Sequence, residues 1–312
     1  MKKRILQNGR LLPALETALA EEYDLHPLWR EPEPAAYLRQ HGASFDGLVT
    51  SAPVGADAAL LQALPNLKII SSFGVGFDKL DLDMARERKI RVGYTPNVLN
   101  DCVADLAFGM MIDIARGIAA ADRFVRRGDW LNAKFPIATR ISGKRLGIVG
   151  LGRIGQAIAR RAGGFDMEIA YTNLQPVEGF SYRHEPSLAG LAAWADFLVV
   201  SVAGGAQTRH LISRDVLAAL GQKGFLINVS RGTVVDEEAL VDALVGKTIA
   251  GAALDVFANE PHVPARLLEC DNVLVLPHIA SGTAETRAAM ADLVLSNLRA
   301  HFSGKELVTP LV

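Results

Sequence analysis

The sequence is poor in cysteine and has no long apolar run. Its 312 residues include only two cysteines, Cys102 and Cys270, which lie far apart and form no CxxC pair. This spacing excludes a disulfide framework and a cysteine-based metal site, and it favours a reducing, cytoplasmic compartment. No apolar run approaches the length of about 18 residues that spans a bilayer. Glu16, Glu21 and Glu22 interrupt the basic N-terminus, so we expect neither a signal peptide nor a membrane partner.

The sequence also lacks an excess of either charge. Lysine and arginine number 33 and the acidic residues 34, which gives a net charge of -1. Without a basic excess, nucleic acid is not expected as the main partner. Half of the residues are hydrophobic and 21% are charged, so a large core is expected and general disorder is excluded. At roughly 150 residues per domain, the length predicts about two domains.

The first third of the chain alternates short apolar runs with helical patterns. A helix is predicted over Leu11–Glu22, and Asp57 is expected to cap another helix. This β-α-β alternation predicts a parallel sheet covered by helices. The predicted strands are Arg4–Leu6, Gly47–Thr50, Leu67–Ser71 and Lys89–Val92.

The rest of the chain predicts a second unit that is richer in strands. Pro96–Asn100 is interpreted as a hinge, and the apolar periodicity from Asn100 predicts one long helix that ends at Gly128. A final helix is predicted over Thr283–Phe302. Between them, six apolar runs separated mostly by helical patterns predict a doubly wound sheet. The six runs are Leu146–Val149, Glu168–Tyr171, Phe197–Ser201, Phe225–Val229, Ile249–Leu254 and Val273–Leu276.

A glycine-rich turn follows the first strand of this second unit. Gly150, Gly152 and Gly155 form a GxGxxG pattern between a predicted strand and a predicted helix, the context that a dinucleotide-binding turn requires. The first glycine permits a tight turn, the second lets a pyrophosphate approach the backbone, and the third lets helix and strand pack closely. The N–H groups at the helix start then bind the phosphate.

The residue after the next strand bears on the choice of cofactor. An NAD site usually carries an acid about 20 residues past the glycines, where it binds the ribose 2′-OH. Asn173 stands there, so a 2′-phosphate would meet no repulsion, and Arg153 can pair with it. The sequence therefore predicts a preference for NADP and leaves NAD open. Leu174 supplies no second cation, and a solvated Arg153 without a cofactor role is the alternative.

Three charged residues follow predicted strands closely. They are Arg231, Glu260 and His278, and strand ends of a parallel sheet line its ligand crevice. Reduction of a 2-keto acid needs a hydride and a proton. A histidine beside a carboxylate can supply the proton, and an arginine can hold the substrate carboxylate. A lone histidine is more often structural and a lone arginine or glutamate is more often a surface charge, but together with the glycine turn the three predict a catalytic trio.

Seven segments spread over nearly the whole chain form a recognisable set: Ser72–Asp78, Thr95–Asp101, Gly150–Gly155, Asn228–Gly232, Ala253–Phe257, Asn259–Pro261 and Pro277–His278. Through these segments the chain resembles the D-2-hydroxyacid dehydrogenases, especially the branch of glyoxylate/hydroxypyruvate and hydroxyphenylpyruvate reductases. The resemblance implies an NADP-preferring reductase of short 2-keto acids such as glyoxylate, hydroxypyruvate or phenylpyruvate.

The resemblance also implies roles for individual residues. Arg231 would bind the substrate, His278 would be the acid/base, and Glu260 would pair with His278. On the substrate side, Val75 and Gly76 would hold the carboxylate through backbone N–H groups, near Ser51. The alternatives are a plain turn at Gly74 and Gly76 and, for Asp255, a structural role in capping or in binding backbone. The implied cofactor contacts are Gly150, Gly152, Arg153, Ile154, Gly155, Asn173, Val229, Asp255 and His278.

For architecture, the resemblance implies two Rossmann-like, doubly wound parallel-sheet α/β domains. A cofactor domain over residues 99–283 would be inserted into a discontinuous substrate domain formed by residues 1–98 and 284–312. The resemblance further implies a homodimer formed through the cofactor domain, with Trp130 either in the core or against the partner. No metal is implied.

Other functions remain to be compared. A formate dehydrogenase is disfavoured, because that branch carries glutamine where Glu260 stands. A phosphoglycerate dehydrogenase stays open, although many of those carry C-terminal regulatory domains. The alternative of another class is a dinucleotide-sensing binding protein or co-repressor on the same scaffold, because a fold alone does not define a function.

Overall fold

The chain forms two α/β units. The computed structural model describes residues 2–312. One unit combines the chain up to Leu99 with Thr283–Val312, and the other spans Asn100–Gly282. Each contains one sheet in which all strands are parallel, as the alternation of apolar runs and helical patterns predicts. The expected fold class, two doubly wound parallel sheets, is confirmed.

The discontinuous unit contains five strands in the order β2-β1-β3-β4-β5. Its last helix comes from the C-terminal segment and packs on β4, where the Ser71 hydroxyl donates to the backbone oxygen of Val294 at 3.1 Å. The elements are β1 (Arg4–Gln7), α1 (Pro13–Glu22), β2 (Asp24–Pro27), α2 (Pro34–His41), β3 (Gly47–Ser51), α3 (Ala58–Gln62), β4 (Ile69–Phe73), α4 (Leu82–Glu87), β5 (Arg91–Gly93) and α12 (Ala284–Phe302).

The continuous unit contains seven strands in the order β12-β11-β10-β9-β6-β7-β8. The order reverses between β9 and β6, which creates the crevice where such sheets bind ligands. The elements are α5 (Asn100–Arg116), α6 (Ile118–Arg126), β6 (Arg145–Val149), α7 (Arg153–Ala162), β7 (Glu168–Thr172), β8 (Arg183–His184), α8 (Leu188–Trp194), β9 (Phe197–Val200), α9 (Arg214–Leu220), β10 (Phe225–Asn228), α10 (Glu237–Val245), β11 (Gly251–Leu254), α11 (Ala265–Leu268) and β12 (Val273–Val275).

The single helix predicted from Asn100 to Gly128 is wrong. The chain breaks at Gly117, whose φ of 64° lies in the left-handed region, and α6 starts afresh behind it. The Asp113 carboxylate stabilises the break by accepting from Ala119 N–H at 2.7 Å. Apolar periodicity continues across the break, so hydrophobic spacing alone does not reveal it.

Two short strands at sheet edges have no apolar signal. Asp24–Pro27 forms β2 and Arg183–His184 forms β8, and both are absent from the predicted strands. Edge strands bury little side-chain surface, so they do not need the apolar runs that mark central strands. By contrast, all four residues of β9 and all four of β10 are buried.

Candidate active site

The glycine turn joins β6 to α7 at the reversal of strand order. Gly150 has a φ of 96°, and a Cβ placed on it would lie 2.7 Å from a methyl group of Val202. A Cβ on Gly155 would overlap the backbone oxygen of Gly150, whereas one on Gly152 would meet open space. The three positions therefore differ as the motif requires: a turn, an open approach for a ligand, and close packing. This cradle fits a dinucleotide pyrophosphate, and the half-buried Ile154 lies at its edge.

Asn173 is bound to this turn. Its Oδ1 accepts from Leu151 N–H at 2.7 Å, and its backbone oxygen lies 3.1 Å from Nε2 of His184. Arg153 opens α7 and is exposed. Within residues 2–312 its guanidinium has no hydrogen-bond or ion-pair partner. The end of β7 thus presents a neutral amide, and the turn presents an uncompensated cation, next to the ligand cradle.

Three adjacent strands, β10, β11 and β12, carry Arg231, Glu260 and His278 in the loops that follow them. The first loop is shaped by the fully buried Asn228. Its Oδ1 accepts from Ser230 N–H at 3.1 Å, and its Nδ2 donates to the backbone oxygen of Arg231 at 3.0 Å. The Arg231 guanidinium donates to the backbone oxygen of Ser230 at 2.9 Å.

Gly232 packs the first loop against the second. A Cβ at this position would overlap the backbone of Phe257 and Ala258, so only glycine allows this approach. The segment that carries Glu260 therefore lies directly against the turn that carries Arg231. Sequence spacing gives no indication of this contact, because the two segments are far apart along the chain.

Glu260 and His278 form a hydrogen-bonded pair. Nδ1 of His278 lies 2.8 Å from Oε2 of Glu260, and Oε1 of Glu260 accepts from Phe257 N–H at 3.1 Å. Burial raises the pKa of Glu260, but the hydrogen bond and positive charge of His278 outweigh this effect and hold that pKa below its ordinary value. The ionised carboxylate fixes the imidazole, with Nδ1 as donor. The two side chains remain 32% and 30% exposed, so a ligand can reach them.

Asp255 holds the loop behind His278. Its carboxylate is fully buried and accepts from Ile279 N–H at 2.7 Å and from Ala280 N–H at 2.8 Å. Burial raises its pKa against these two hydrogen bonds. His278 itself has a φ of 55°, a conformation that costs a non-glycine residue about 1–3 kcal/mol. The contacts of Asp255 are therefore with backbone, and a contact with nicotinamide stays a prediction.

The remaining expected residues lie on both units. Val229 follows β10 directly in the loop of Arg231; it is 7% exposed and donates from its N–H to the backbone oxygen of Val200 in β9. Ser51 ends β3 in the other unit, and the half-buried Val75 and Gly76 follow the adjacent strand β4. In the sequence, Asn228 and Gly232 stand only as the two ends of a segment that carries the resemblance, and neither was given a role. An amide inside the apolar run Phe225–Val229 is the one signal that points to the first of these.

The described chain contains no candidate metal cluster and no candidate membrane-spanning helix. In residues 2–312, no three His, Cys, Asp or Glu side chains are grouped so that they could hold a metal ion. Across the same residues, none of the helices combines the length and the apolar character that a membrane span requires. Cys102 and Cys270 are both thiols.

Comparison with known proteins gives the family. Residues 108–280 match the model of the D-isomer specific 2-hydroxyacid dehydrogenase NAD binding domain. Over 298 residues the chain is 49% identical to glyoxylate/hydroxypyruvate reductase A of Arabidopsis thaliana, and it is 48% identical to hydroxyphenylpyruvate reductase of Plectranthus scutellarioides. Each alignment covers 96% of this chain and 95% of the relative. The chain belongs to the D-2-hydroxyacid dehydrogenase family.

A solved structure agrees with this assignment. The NADPH-dependent glyoxylate/hydroxypyruvate reductase of Sinorhizobium meliloti, in complex with NADP and malonate, matches with a TM-score of 0.92 and 42% identity. The match covers 100% of this chain and 97% of that chain. The resemblance inferred from the sequence motifs is confirmed at the level of the family and of its reductase relatives.

Proposed function

We propose that this protein is an NADPH-preferring oxidoreductase that reduces short 2-keto acids to D-2-hydroxy acids. The observation that carries the proposal is the His278–Glu260 pair, at 2.8 Å, in the same sheet as a glycine cradle suited to a dinucleotide. The relatives named for glyoxylate, hydroxypyruvate and hydroxyphenylpyruvate support the substrate class. Family membership supports the oxidoreductase chemistry.

In this proposal His278 is the general acid. Glu260 accepts from Nδ1, so the protonated ring directs its Nε2–H towards the substrate carbonyl oxygen. When bound, the cofactor supplies the hydride. His278 donates its proton to the oxygen that becomes the new hydroxyl.

Arg231 is the proposed substrate-binding residue. A guanidinium can bind a carboxylate through two parallel hydrogen bonds and polarise the neighbouring keto oxygen. Asn228 and Gly232 support it by fixing the turn that presents it. We further propose that the discontinuous unit binds substrate through Ser51 and the N–H groups of Val75 and Gly76, and that the continuous unit holds the cofactor.

The preference for NADP rests on two residues beside the cradle. Asn173 presents no carboxylate to a 2′-phosphate, and Arg153 offers an exposed guanidinium. A relative with 42% identity, the NADPH-dependent reductase of Sinorhizobium meliloti, was solved in complex with NADP, which supports the preference for NADP. NAD remains the second cofactor to test, because Leu174 adds no further cation.

We also propose a cytoplasmic homodimer. Helix α6 buries none of its residues in its own chain, and Leu131 and Ile137 behind it are 89% and 103% exposed. A cavity of about 520 Å³ lies beside this segment, lined in part by Phe135, Ile137 and Phe165. Apolar surface of this kind usually marks a protein contact. The two thiols support a reducing compartment.

Parallel cofactor titrations test the proposed function. Oxidation of NADPH and of NADH is followed at 340 nm with glyoxylate, hydroxypyruvate and phenylpyruvate. We expect turnover with at least one of these acids and a higher kcat/KM with NADPH. If the protein binds the cofactor but oxidises it with none of these acids, the alternative of a dinucleotide-sensing binding protein would be favoured.

A further inference from the structure

A second carboxylate contacts the loop that carries Glu260. Glu237 is the first residue of α10, and its Oε1 accepts from the backbone N–H of Ala258 at 2.7 Å. Ala258 lies two residues before Glu260, after the end of β11. Its neighbour Phe257 donates its own N–H to Oε1 of Glu260 at 3.1 Å. Two successive N–H groups of this turn are therefore each bound by a carboxylate, and one of the two is Glu260 itself.

The origin of Glu237 makes this contact informative. Helix α10 starts shortly after the turn of Arg231, and its first turn is capped by Asp236, which accepts from Ala239 N–H at 3.1 Å. The Glu237 side chain thus links the start of a capped helix to the turn that orients Glu260. Gly232, in the turn that precedes this helix, packs against the backbone of Phe257 and Ala258 in the same loop. Loss of the Glu237 link would leave this turn with one side-chain support fewer.

Electrostatics also couple Glu237 to the proposed site. The pKa of Glu237 is raised, mainly by burial and also by the negative charge of Glu260. The hydrogen bond from Ala258 N–H and the charge of His210 lower this pKa, but by less. Helix α10 adds the acidic neighbours Asp236 and Glu238. The charged groups that act on Glu260 are His278 and Arg231, and Glu260 in turn acts on Asp255.

We propose that Glu237 is a positioning residue for the reaction: by binding Ala258 N–H it holds the turn that places Glu260 on His278. The inference rests on the proposed function, because it gives Glu237 a role through Glu260 and His278. The proposed role of Glu237 involves no contact with substrate or cofactor.

Three variants separate position from charge. Glu237→Ala removes both the acceptor and the charge, whereas Glu237→Gln keeps an oxygen acceptor and removes the charge. Glu238→Gln is the matched control, since Glu238 is exposed in the same first turn and has no hydrogen-bond or ion-pair partner in residues 2–312. Each variant is measured for kcat, for the KM of NADPH, for the pH profile of kcat/KM and for thermal unfolding.

Glu237→Ala is expected to lower kcat by about 10- to 10²-fold, the size expected when a reacting group is misplaced. The KM for NADPH should change by less than about twofold. Glu237→Gln should restore most of kcat, because its amide oxygen can still accept from Ala258 N–H. Glu238→Gln should match the parent in both respects.

An NMR spectrum of the His278 imidazole checks the same claim without turnover. The downfield resonance of its Nδ1–H, which is hydrogen-bonded to Glu260, should shift or weaken in Glu237→Ala and stay parental in Glu237→Gln and Glu238→Gln. A parental kcat in Glu237→Ala, or a Glu237→Gln variant as slow as Glu237→Ala, would overturn the inference. If His278→Ala keeps the parental rate, the proposed function fails instead, and the NMR result still decides whether Glu237 orients the pair.

Discussion

Two parts of the unit Asn100–Gly282 are held in different ways. The loops after β10, β11 and β12 are fixed from within by polar side chains that bind backbone: Asn228, Asp255 and Glu260. Segment 118–137 has little of this kind. Apart from an edge contact between the rings of Phe124 and Phe135, at 5.5 Å, it leaves much of its apolar surface exposed.

The strand-end loops are complete within one chain, whereas segment 118–137 leaves an apolar surface uncovered. The strand-end loops present their charged groups through hydrogen bonds within the unit, so their geometry should not depend on a partner. Exposed apolar side chains stabilise the protein only when another surface buries them, by about 25 cal/mol per Å² of apolar surface removed from water. Changes in the loops should therefore affect chemistry, and changes in segment 118–137 should affect assembly.

The largest effect is expected from Gly232→Ala. The added methyl group would overlap the backbone of Phe257, so the turns of Arg231 and Glu260 must separate. We expect kcat/KM to fall by more than about 10²-fold and the free energy of unfolding to fall by about 1–3 kcal/mol. Steady-state kinetics and thermal unfolding measure both.

The control for this variant is Gly163→Ala. Its added methyl group meets open space, and its φ of -58° suits alanine. It should behave like the parent. Parental kinetics in Gly232→Ala would show that the close approach of the two turns does not matter for activity.

Arg153→Ala should have a smaller and selective effect. If the guanidinium pairs with a 2′-phosphate, its loss removes a charge-assisted hydrogen bond, and the KM for NADPH should rise about tenfold. The KM for NADH should change by less than about twofold, since NADH has no 2′-phosphate. Lys223→Ala removes an exposed charge elsewhere and serves as the control. Equal changes for the two cofactors would contradict the pairing.

The smallest effect on chemistry is expected in segment 118–137. Leu131→Asp should shift the protein from dimer to monomer in sedimentation experiments, because it places a charge in the proposed interface. Its secondary structure, read by circular dichroism, should be unchanged. Leu268→Asp alters another exposed leucine, which is 58% exposed, and should leave assembly intact. A parental protein that is monomeric at micromolar concentration would refute the dimer.

The sequence was most informative where a residue type had a chemical reason to be there. GxGxxG between strand and helix predicted the cradle, because the three glycines meet three different steric demands. Charged residues after apolar runs predicted Arg231, Glu260 and His278, and the structure brings the last two to 2.8 Å. Their catalytic roles remain predictions.

The features missed depend on contacts between distant segments or on local backbone geometry. Gly232 reads as an ordinary turn glycine until Phe257 lies against it. The break at Gly117 depends on a left-handed backbone and on the cap from Asp113, neither of which interrupts the apolar periodicity. The hydrogen bond that Glu237 accepts from Ala258 N–H joins two elements whose proximity only the fold defines.

In the proposed reaction, a histidine oriented by a carboxylate donates the proton to the 2-keto acid. This role is tested by the kcat/KM of His278→Ala with NADPH and the best acid of the panel, measured beside the parent. We expect a loss of at least about 10²-fold, the low end for general acid–base catalysis, with NADPH binding retained. Turnover at the parental rate would refute the role.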